Sequence, residues 1–325
     1  MKEETMVTII TMTYKNFSGI KKTVNSVLSQ SYERIEYIIS DDGSDNFPKD
    51  EIQNMIEGKI HQQQIIQNMP NVGTVRNATG ACKAAHGKYI LFLSCGDVFY
   101  ERDSVKKIVE RFEKEQCELL AVRRVAFTGD YFPLFFMPHL GAIKLLNKMN
   151  TSQKQYNAYI TTHSWDAVSG SALYYKKEIL EEYNYFDNKY RLWEDGPFIE
   201  RYLRSNAITY AFDIIGIWYE YGGISTSKTP NPILLKDQQL FDRTDRFAKK
   251  NELDTFCRRY IDYIYKRSHC STKKDIIVVM LLYPDSVYTH AIYKIKNKIF
   301  NKQDVKYLQT HQLKKPDLYF KEVMK

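Results

Sequence analysis

From residue 6 to residue 127, short β-rich apolar runs alternate with stretches whose apolar residues recur at helical spacing. The run Met6-Val7-Thr8-Ile9-Ile10-Thr11 reads as a strand, and Ile20, Val24, Val27 and Leu28 then mark a helix, with Asn16 and Ser18 as its caps. Further strands are expected at Ile35–Ser40, Gln64–Gln67, Tyr89–Leu93 and Leu119–Phe127, and further helices at about Thr74–Ala85 and Asp103–Lys114. Strands and helices in alternation predict an α/β fold, a doubly wound and mainly parallel sheet. Such open sheets bind ligands in the crevice beyond the carboxyl ends of their strands. Two polar turns fall at those ends, Asp41-Asp42-Gly43-Ser44 and Ser94-Cys95-Gly96-Asp97.

Beyond residue 128 the pattern changes. Residues 129–160 are irregular, and Tyr131-Phe132-Pro133-Leu134-Phe135-Phe136 suits a loop or an apolar lid. Regular structure is expected again over Trp165–Glu181. Trp193-Glu194-Asp195-Gly196-Pro197 then opens a helix to about Arg204, with proline in the first turn, where no amide donor is needed. Strands follow at Ala207–Phe212 and Ile214–Tyr221. After the breaker Thr229-Pro230-Asn231-Pro232 the chain reads as successive short helices, so two units are expected, residues 1–227 and 228–325.

Composition excludes several classes. The longest apolar run, Ile276 to Tyr283, falls far short of the ~20 residues a membrane-spanning helix needs. The start, MKEETMVTII, has acidic residues where a signal peptide has basic ones, which points to a cytoplasmic protein. Five scattered cysteines and seven histidines without paired spacing argue against a disulfide framework, a zinc site or a histidine metal site. Residues 228–325 carry 21 Lys and Arg against 11 Asp and Glu, so the net charge of +8 lies in the C-terminal part. That excess favours phosphate-rich or anionic partners.

Several ordered pieces resemble glycosyltransferase family 2. Val7 to Tyr14, through Met12, resembles the family's first strand and its Thr-Tyr turn, and Ser26-Val27-Leu28-Ser29-Gln30-Ser31-Tyr32 resembles the helix end that follows. Asp41-Asp42-Gly43-Ser44 matches its uridine-binding turn. Asn71-Val72-Gly73-Thr74-Val75-Arg76-Asn77 and Gly87-Lys88-Tyr89-Ile90 match a variant seen in some members. Glu194-Asp195 resembles its Glu-Asp pair, and Tyr219-Glu220-Tyr221-Gly222-Gly223-Ile224-Ser225-Thr226 resembles a segment that ends the catalytic part. The resemblance covers roughly residues 5–227 and implies a GT-A fold, a nucleotide-sugar donor, most often UDP-linked, and transfer with inversion. The QxxRW motif of processive members is absent, which implies one sugar per acceptor.

Carried onto this sequence, the resemblance makes Asp195 the general base that takes the acceptor hydroxyl proton, with Glu194 orienting the acceptor. The donor would be held by Met12, Tyr14, Asp41, Asp42, Arg76, Gly96 and Ser225. A carboxylate at a strand end can accept hydrogen bonds from a base or ribose, Tyr14 can stack on the base, and Arg76 can steady the diphosphate. The family's metal motif, commonly DxD, is thinned here to Ser94-Cys95-Gly96-Asp97, leaving Asp97 to bind Mn²⁺ or Mg²⁺. Trp165, Trp193 and Trp218 offer rings that suit either a sugar face or the core.

Within Asp285–Lys302, Ile292, Ile295 and Ile299 recur at helical spacing among Lys294, Lys296, Lys298 and Lys302. This fits a basic amphipathic helix resting on an anionic membrane, peripheral on the inner face, and equally a helix packed on the catalytic part with solvated lysines. No nucleic-acid-binding module accompanies the charge. The expected partners are a nucleotide-sugar and a saccharide or lipid-linked saccharide acceptor, in bacterial surface-polysaccharide synthesis. Two other classes stay open on sequence alone: a nucleotidyltransferase, and a non-catalytic sugar- or lipid-binding adaptor with a degenerate site.

Overall fold

The computed structural model describes residues 4–162, 168–224, 226–227 and 229–323. Strands β1 (Val7–Thr13), β2 (Ile35–Asp41), β3 (Gln62–Gln67) and β4 (Tyr89–Phe92) pair in parallel in the order β3-β2-β1-β4. Helices α1 (Ile20–Leu28), α2 (Lys49–Ile56) and α3 (Thr74–Ala84) make the crossovers. Successive residues of a strand point to opposite faces. Ile10, Ile38 and Ile90 therefore join one core with α3, while Ile9, Ile39 and Leu91 join another with α1. Both faces are covered, so β1 and β2 are buried along almost their whole length, with Thr8, Thr11, Glu36 and Ser40 buried among the apolar residues.

The second half of the sheet is mixed. It contains β5 (Val98–Phe99), β6 (Leu119–Thr128), β7 (Phe132–Met137), β8 (Leu173–Lys176) and β9 (Thr209–Glu220). Helices α4 (Ser104–Glu115), α5 (Ile143–Leu146), α6 (Ser152–Thr162), α7 (Lys177–Glu182) and α8 (Asp195–Leu203) lie between them. The full order is β3-β2-β1-β4-β8-β6-β9-β5, with β7 on β6. Strand β8 runs antiparallel to both neighbours, β6 and β9 are parallel, and β5 is antiparallel to β9. The expected doubly wound sheet is thus parallel over its first four strands and mixed beyond them.

Other expectations need correction. Residues 132–137 form a strand rather than a loop or lid. Pro133 is tolerated because β7 pairs on one side only, with β6. The two strands expected over 207–221 are one strand, β9, with irregular register opposite Val122–Arg124. Helix α1 starts from Gly19 with no side-chain cap, and Asn16 Oδ1 instead accepts from the backbone N–H and hydroxyl of Ser18.

The sheet must curl. Strands β4 and β5 stand four places apart, or about 19 Å on a flat sheet. Only residues 93–97 connect them, and the Asp97 N–H closes a turn onto Ser94 O at 2.9 Å. Curling carries β5 back against α1, so Gly96 lies directly on Gly19. The 94–97 turn thereby sits inside the crevice at the end of β4.

Helices α9 (Pro232–Phe241), α10 (Thr255–Ser268), α11 (Lys273–Leu282), α12 (Pro284–Thr310) and α13 (Asp317–Val323) follow. Asn231 caps α9, accepting from Ile233 N and Leu234 N ahead of Pro232. Within α9 the buried Asp237 accepts from the backbone N–H of Arg191 and Leu192, at 2.9 and 2.6 Å. Within α12 the buried Asp304 accepts from Phe136 N and Leu140 N, both at 2.9 Å, and lies 2.6 Å from His139 Nδ1. Among the described residues no single helix is long and apolar enough to cross a membrane; α11 and α12 together have the length and composition but are bent by 103°.

Candidate active site

The carboxyl ends of β1 and β2 are tied together by the first acidic turn. Asp41, fully buried, accepts from Thr13 Oγ1 at 2.9 Å, Ser44 Oγ at 2.7 Å and Ser44 N at 2.8 Å. Asp42, also buried, accepts from Val72 N, Gly73 N and Asn71 Nδ2 at 2.9, 2.8 and 2.7 Å. Both side chains hold protein together here: Asp41 shapes its own turn, and Asp42 pins the loop that opens α3. The Lys15 N–H reaches Ser44 Oγ at 2.8 Å, which sets Tyr14 on the rim with its ring exposed. Met12 is partly buried against the core, and Arg76 stands exposed on the first turn of α3.

Asp97 lies almost wholly buried in the second turn. Its Oδ1 accepts from the backbone N–H of Glu220, at the end of β9, at 2.8 Å. Its Oδ2 is buried without a hydrogen-bond partner. Burial pushes the Asp97 carboxyl up to about 7, against the pull of the Glu220 N–H and of Arg124, while the Glu220 charge pushes the same way. The Glu220 carboxylate is half-exposed and paired with Lys22 of α1 at 2.8 Å. Gly96 has φ +103°, which favours glycine, and donates its N–H to Thr23 Oγ1. A buried carboxylate oxygen left unsatisfied suits a cation. Among the described residues no three His, Cys, Asp or Glu side chains converge. A bound Mn²⁺ or Mg²⁺ would therefore depend on Asp97, with diphosphate oxygens and water in most positions, which is how Mg²⁺ usually binds.

Glu194 and Asp195 open α8 and are half-buried. Asp195 Oδ1 accepts from Gly196 N at 2.7 Å, and the Gly170 N–H also donates to this carboxylate. Gly170 packs so closely that a Cβ there would meet Asp195 Oδ2 at 2.5 Å. Burial raises the Asp195 carboxyl above its ordinary value, opposed by those amides and by Arg124. The same dehydration pushes Glu194 up to about 8, with the Asp195 charge adding to it.

Arg124 of β6 links the two acidic centres. Its buried guanidinium stacks 3.8 Å from the Tyr219 ring and bonds Ser171 Oγ, and its charge acts on both Asp97 and Asp195. Sequence reasoning missed Arg124, Lys22 and Glu220. The doublet Arg123-Arg124 inside an otherwise apolar strand was a usable signal for the first; Glu220 stood inside the Tyr219–Thr226 segment without a role of its own, and nothing local marks Lys22. Ser225 and Trp165 lie outside the described residues. Trp218 is core, stacked near Tyr100 and edge-on to Phe127, and Trp193 packs on Phe241. The hollow of about 410 Å³ between α4 and β9 is remote from this chemistry and lined by the Arg111–Asp213 pair.

Known proteins resemble this chain in sequence and in fold. An uncharacterised glycosyltransferase of Nostoc sp. is 28% identical over 207 residues, covering 59% of this chain and 58% of that protein. The putative teichuronic acid biosynthesis glycosyltransferase TuaG of Bacillus subtilis is 32% identical over 126 residues, covering 38% of this chain and 46% of the relative. The chain thus spans about half the length of the relatives it matches. Among solved structures, Staphylococcus aureus TarS 1–349 in complex with UDP-GlcNAc has a TM-score of 0.57 at 15% identity, covering 95% of this chain and 93% of that one. Mannosyltransferase PcManGT from Pyrobaculum calidifontis, in complex with GDP-Man and Mn²⁺, has a TM-score of 0.53 at 13% identity, with coverage of 93% and 88%. At such identities the likeness is one of fold. Residues 8–183, more than half of the chain, match Glycosyl transferase family 2, and the chain belongs to that family.

Proposed function

We propose that this chain is an inverting, metal-dependent glycosyltransferase that moves one hexose or N-acetylhexosamine from a nucleotide-sugar, a UDP-sugar in the first instance, to a saccharide or lipid-linked saccharide acceptor of a bacterial surface polysaccharide. The observation that carries this reading is Asp195. It sits at the N-terminus of α8, fixed by two backbone amides, and feels the charge of Arg124, as Asp97 does. Family membership and the names of the relatives support the same reading.

In this mechanism Asp195 takes the acceptor hydroxyl proton as that oxygen attacks the anomeric carbon. The bond to the diphosphate breaks, and the nucleotide diphosphate leaves with the electron pair. Dehydration raises the basicity of Asp195, and the Gly196 and Gly170 amides hold its orientation. Mn²⁺ or Mg²⁺, when bound, supplies positive charge to the departing diphosphate. Tyr14 stacks on the base, and the Asp41-Asp42 turn shapes its seat, with Met12 on the floor and the Gly96 turn beside it. Arg76 reaches toward the phosphates.

Residues 1–227 form the catalytic unit of this reading, and residues 228–325 the part facing acceptor and membrane. Helix α11 exposes Ile277, Val278, Leu281 and Leu282 beside Lys273 and Lys274. That combination supports a peripheral contact with an anionic bilayer on its cytoplasmic face.

The test is release of nucleotide diphosphate from a panel of nucleotide-sugars with saccharide and lipid-linked acceptors. The parental chain is expected to turn over one donor. Asp195→Asn is expected to lose about 10²–10⁴-fold in kcat with donor affinity retained. Parental turnover by Asp195→Asn would remove Asp195 as the base, and no release from any donor would remove the transferase reading.

A further inference from the structure

The family's metal motif is short of acids in this chain, yet the fold returns one by another route. Strand β5 pairs antiparallel with β9, Val98 facing Trp218 and Phe99 facing Ile217. Continued by two residues, that register puts Gly96 opposite Glu220, and directly opposed residues of a ladder share a face. The contact is real. A Cβ at residue 96 would fall on Oε2 of Glu220, so the carboxylate fills the volume that a side chain at 96 would take. The same residue's backbone N–H holds Asp97 Oδ1, leaving Asp97 Oδ2 buried and without a partner.

We infer that Glu220 is the second carboxylate ligand of the divalent cation, standing in from β9 for the acid absent at Gly96. The inference rests on the metal-dependent reading above. Two carboxylates with substrate oxygens and water make an ordinary shell for Mg²⁺ or Mn²⁺. Among the described residues, the ammonium paired with these carboxylates is that of Lys22, which bonds Glu220 and not Asp97. A divalent ion satisfies both carboxylates, whereas Lys22 reaches only the outer one. Lys22 is accordingly a competitor of the cation, holding Glu220 in place when the ion is away. Gly96 is glycine for two reasons, its positive φ and the carboxylate it admits.

The experiment is titration of the full-length chain with Mn²⁺, following the paramagnetic resonance of the free ion, with and without UDP. The parental chain is expected to bind one Mn²⁺, more tightly with UDP. Glu220→Gln, isosteric and with its backbone donor to Asp97 intact, is expected to weaken Mn²⁺ at least ~10-fold. Its thermal unfolding without metal should match the parent, because the residue is half-exposed. Lys22→Met is expected to bind Mn²⁺ as tightly as the parent or more so. Parental Mn²⁺ affinity in Glu220→Gln would overturn the inference and leave the metal-dependent reading standing. An equal loss in Lys22→Met would also overturn it, since Glu220 would then act only through its ion pair. Absence of Mn²⁺ binding by the parental chain would overturn both.

Discussion

Adjacent carboxyls at 194 and 195 are both dehydrated, and Glu194 carries the heavier consequence, a carboxyl pushed up to about 8 from an ordinary 4.5. Between those values the folded chain holds a proton that the unfolded chain has released, so stability falls as pH rises through that window. We expect the denaturant midpoint of the parental chain to decline from pH 5 to pH 8, and Glu194→Gln to flatten the decline. A slope unchanged by the substitution would show that Glu194 is not the proton carrier. The same residues mark how much of the site was legible in sequence. The helix start at Glu194-Asp195 was readable because an acidic pair just ahead of Pro197 is helix-start chemistry. Asp41 and Asp42 were readable as a turn, but the sequence does not reveal that their lone pairs are taken up by Thr13, Ser44, Asn71 and the amides of Val72 and Gly73. Lys22 and Glu220 were invisible for a similar reason, since their pairing spans 198 residues and no local pattern encodes it.

Elements were legible where one period dominated. Strands β1, β2 and β4 announced themselves because burial on both faces concentrates β-branched and aromatic residues in them, whereas β3 offered only Ile65 and Ile66 among glutamines. Helix α2 escaped notice because it buries only Ile52 and Ile56, with Met55 partly covered beside them. Strand β7 looked like a loop because of Pro133, whose missing donor matters little on an edge, and β8 was hidden because Leu173–Lys176 runs straight into the helix at Lys177. The tail showed its helices but not their docking. Asp304 is the anchor: three donors from 136–140 converge on one fully buried carboxylate, and α12 lies so near that a Cβ at Gly141 would strike the Phe300 ring. Asp304→Ala leaves those donors buried and unanswered. It is expected to cost about 3–5 kcal/mol, read as a lower denaturant midpoint together with faster proteolysis after residue 283. A loss under 1 kcal/mol would mean that the helix is held by its apolar contacts alone.

For the whole molecule, charge and exposed apolar surface coincide in the C-terminal helices. Helix α11 buries only Val279. On the membrane reading, the intact chain should float with vesicles containing anionic lipid and not with neutral ones, and high salt should weaken the association. Leu281→Ser with Leu282→Ser should reduce flotation about 10-fold. Flotation equal to the parent would clear α11 of that role, and an oligomer abolished by the same pair of changes would make the face a subunit interface instead. The hydrogen bond from Glu220 N to Asp97 has a last consequence, because it joins residues 123 apart in sequence. Long-range pairings close late in folding. As the chain leaves the ribosome, Tyr14, the Asp41-Asp42 turn and even Asp97 emerge well before β9 can complete the crevice. On the proposed reading, a nascent chain stopped short of residue 220 would have most of the donor seat and no finished phosphate end, and would not engage the nucleotide-sugar.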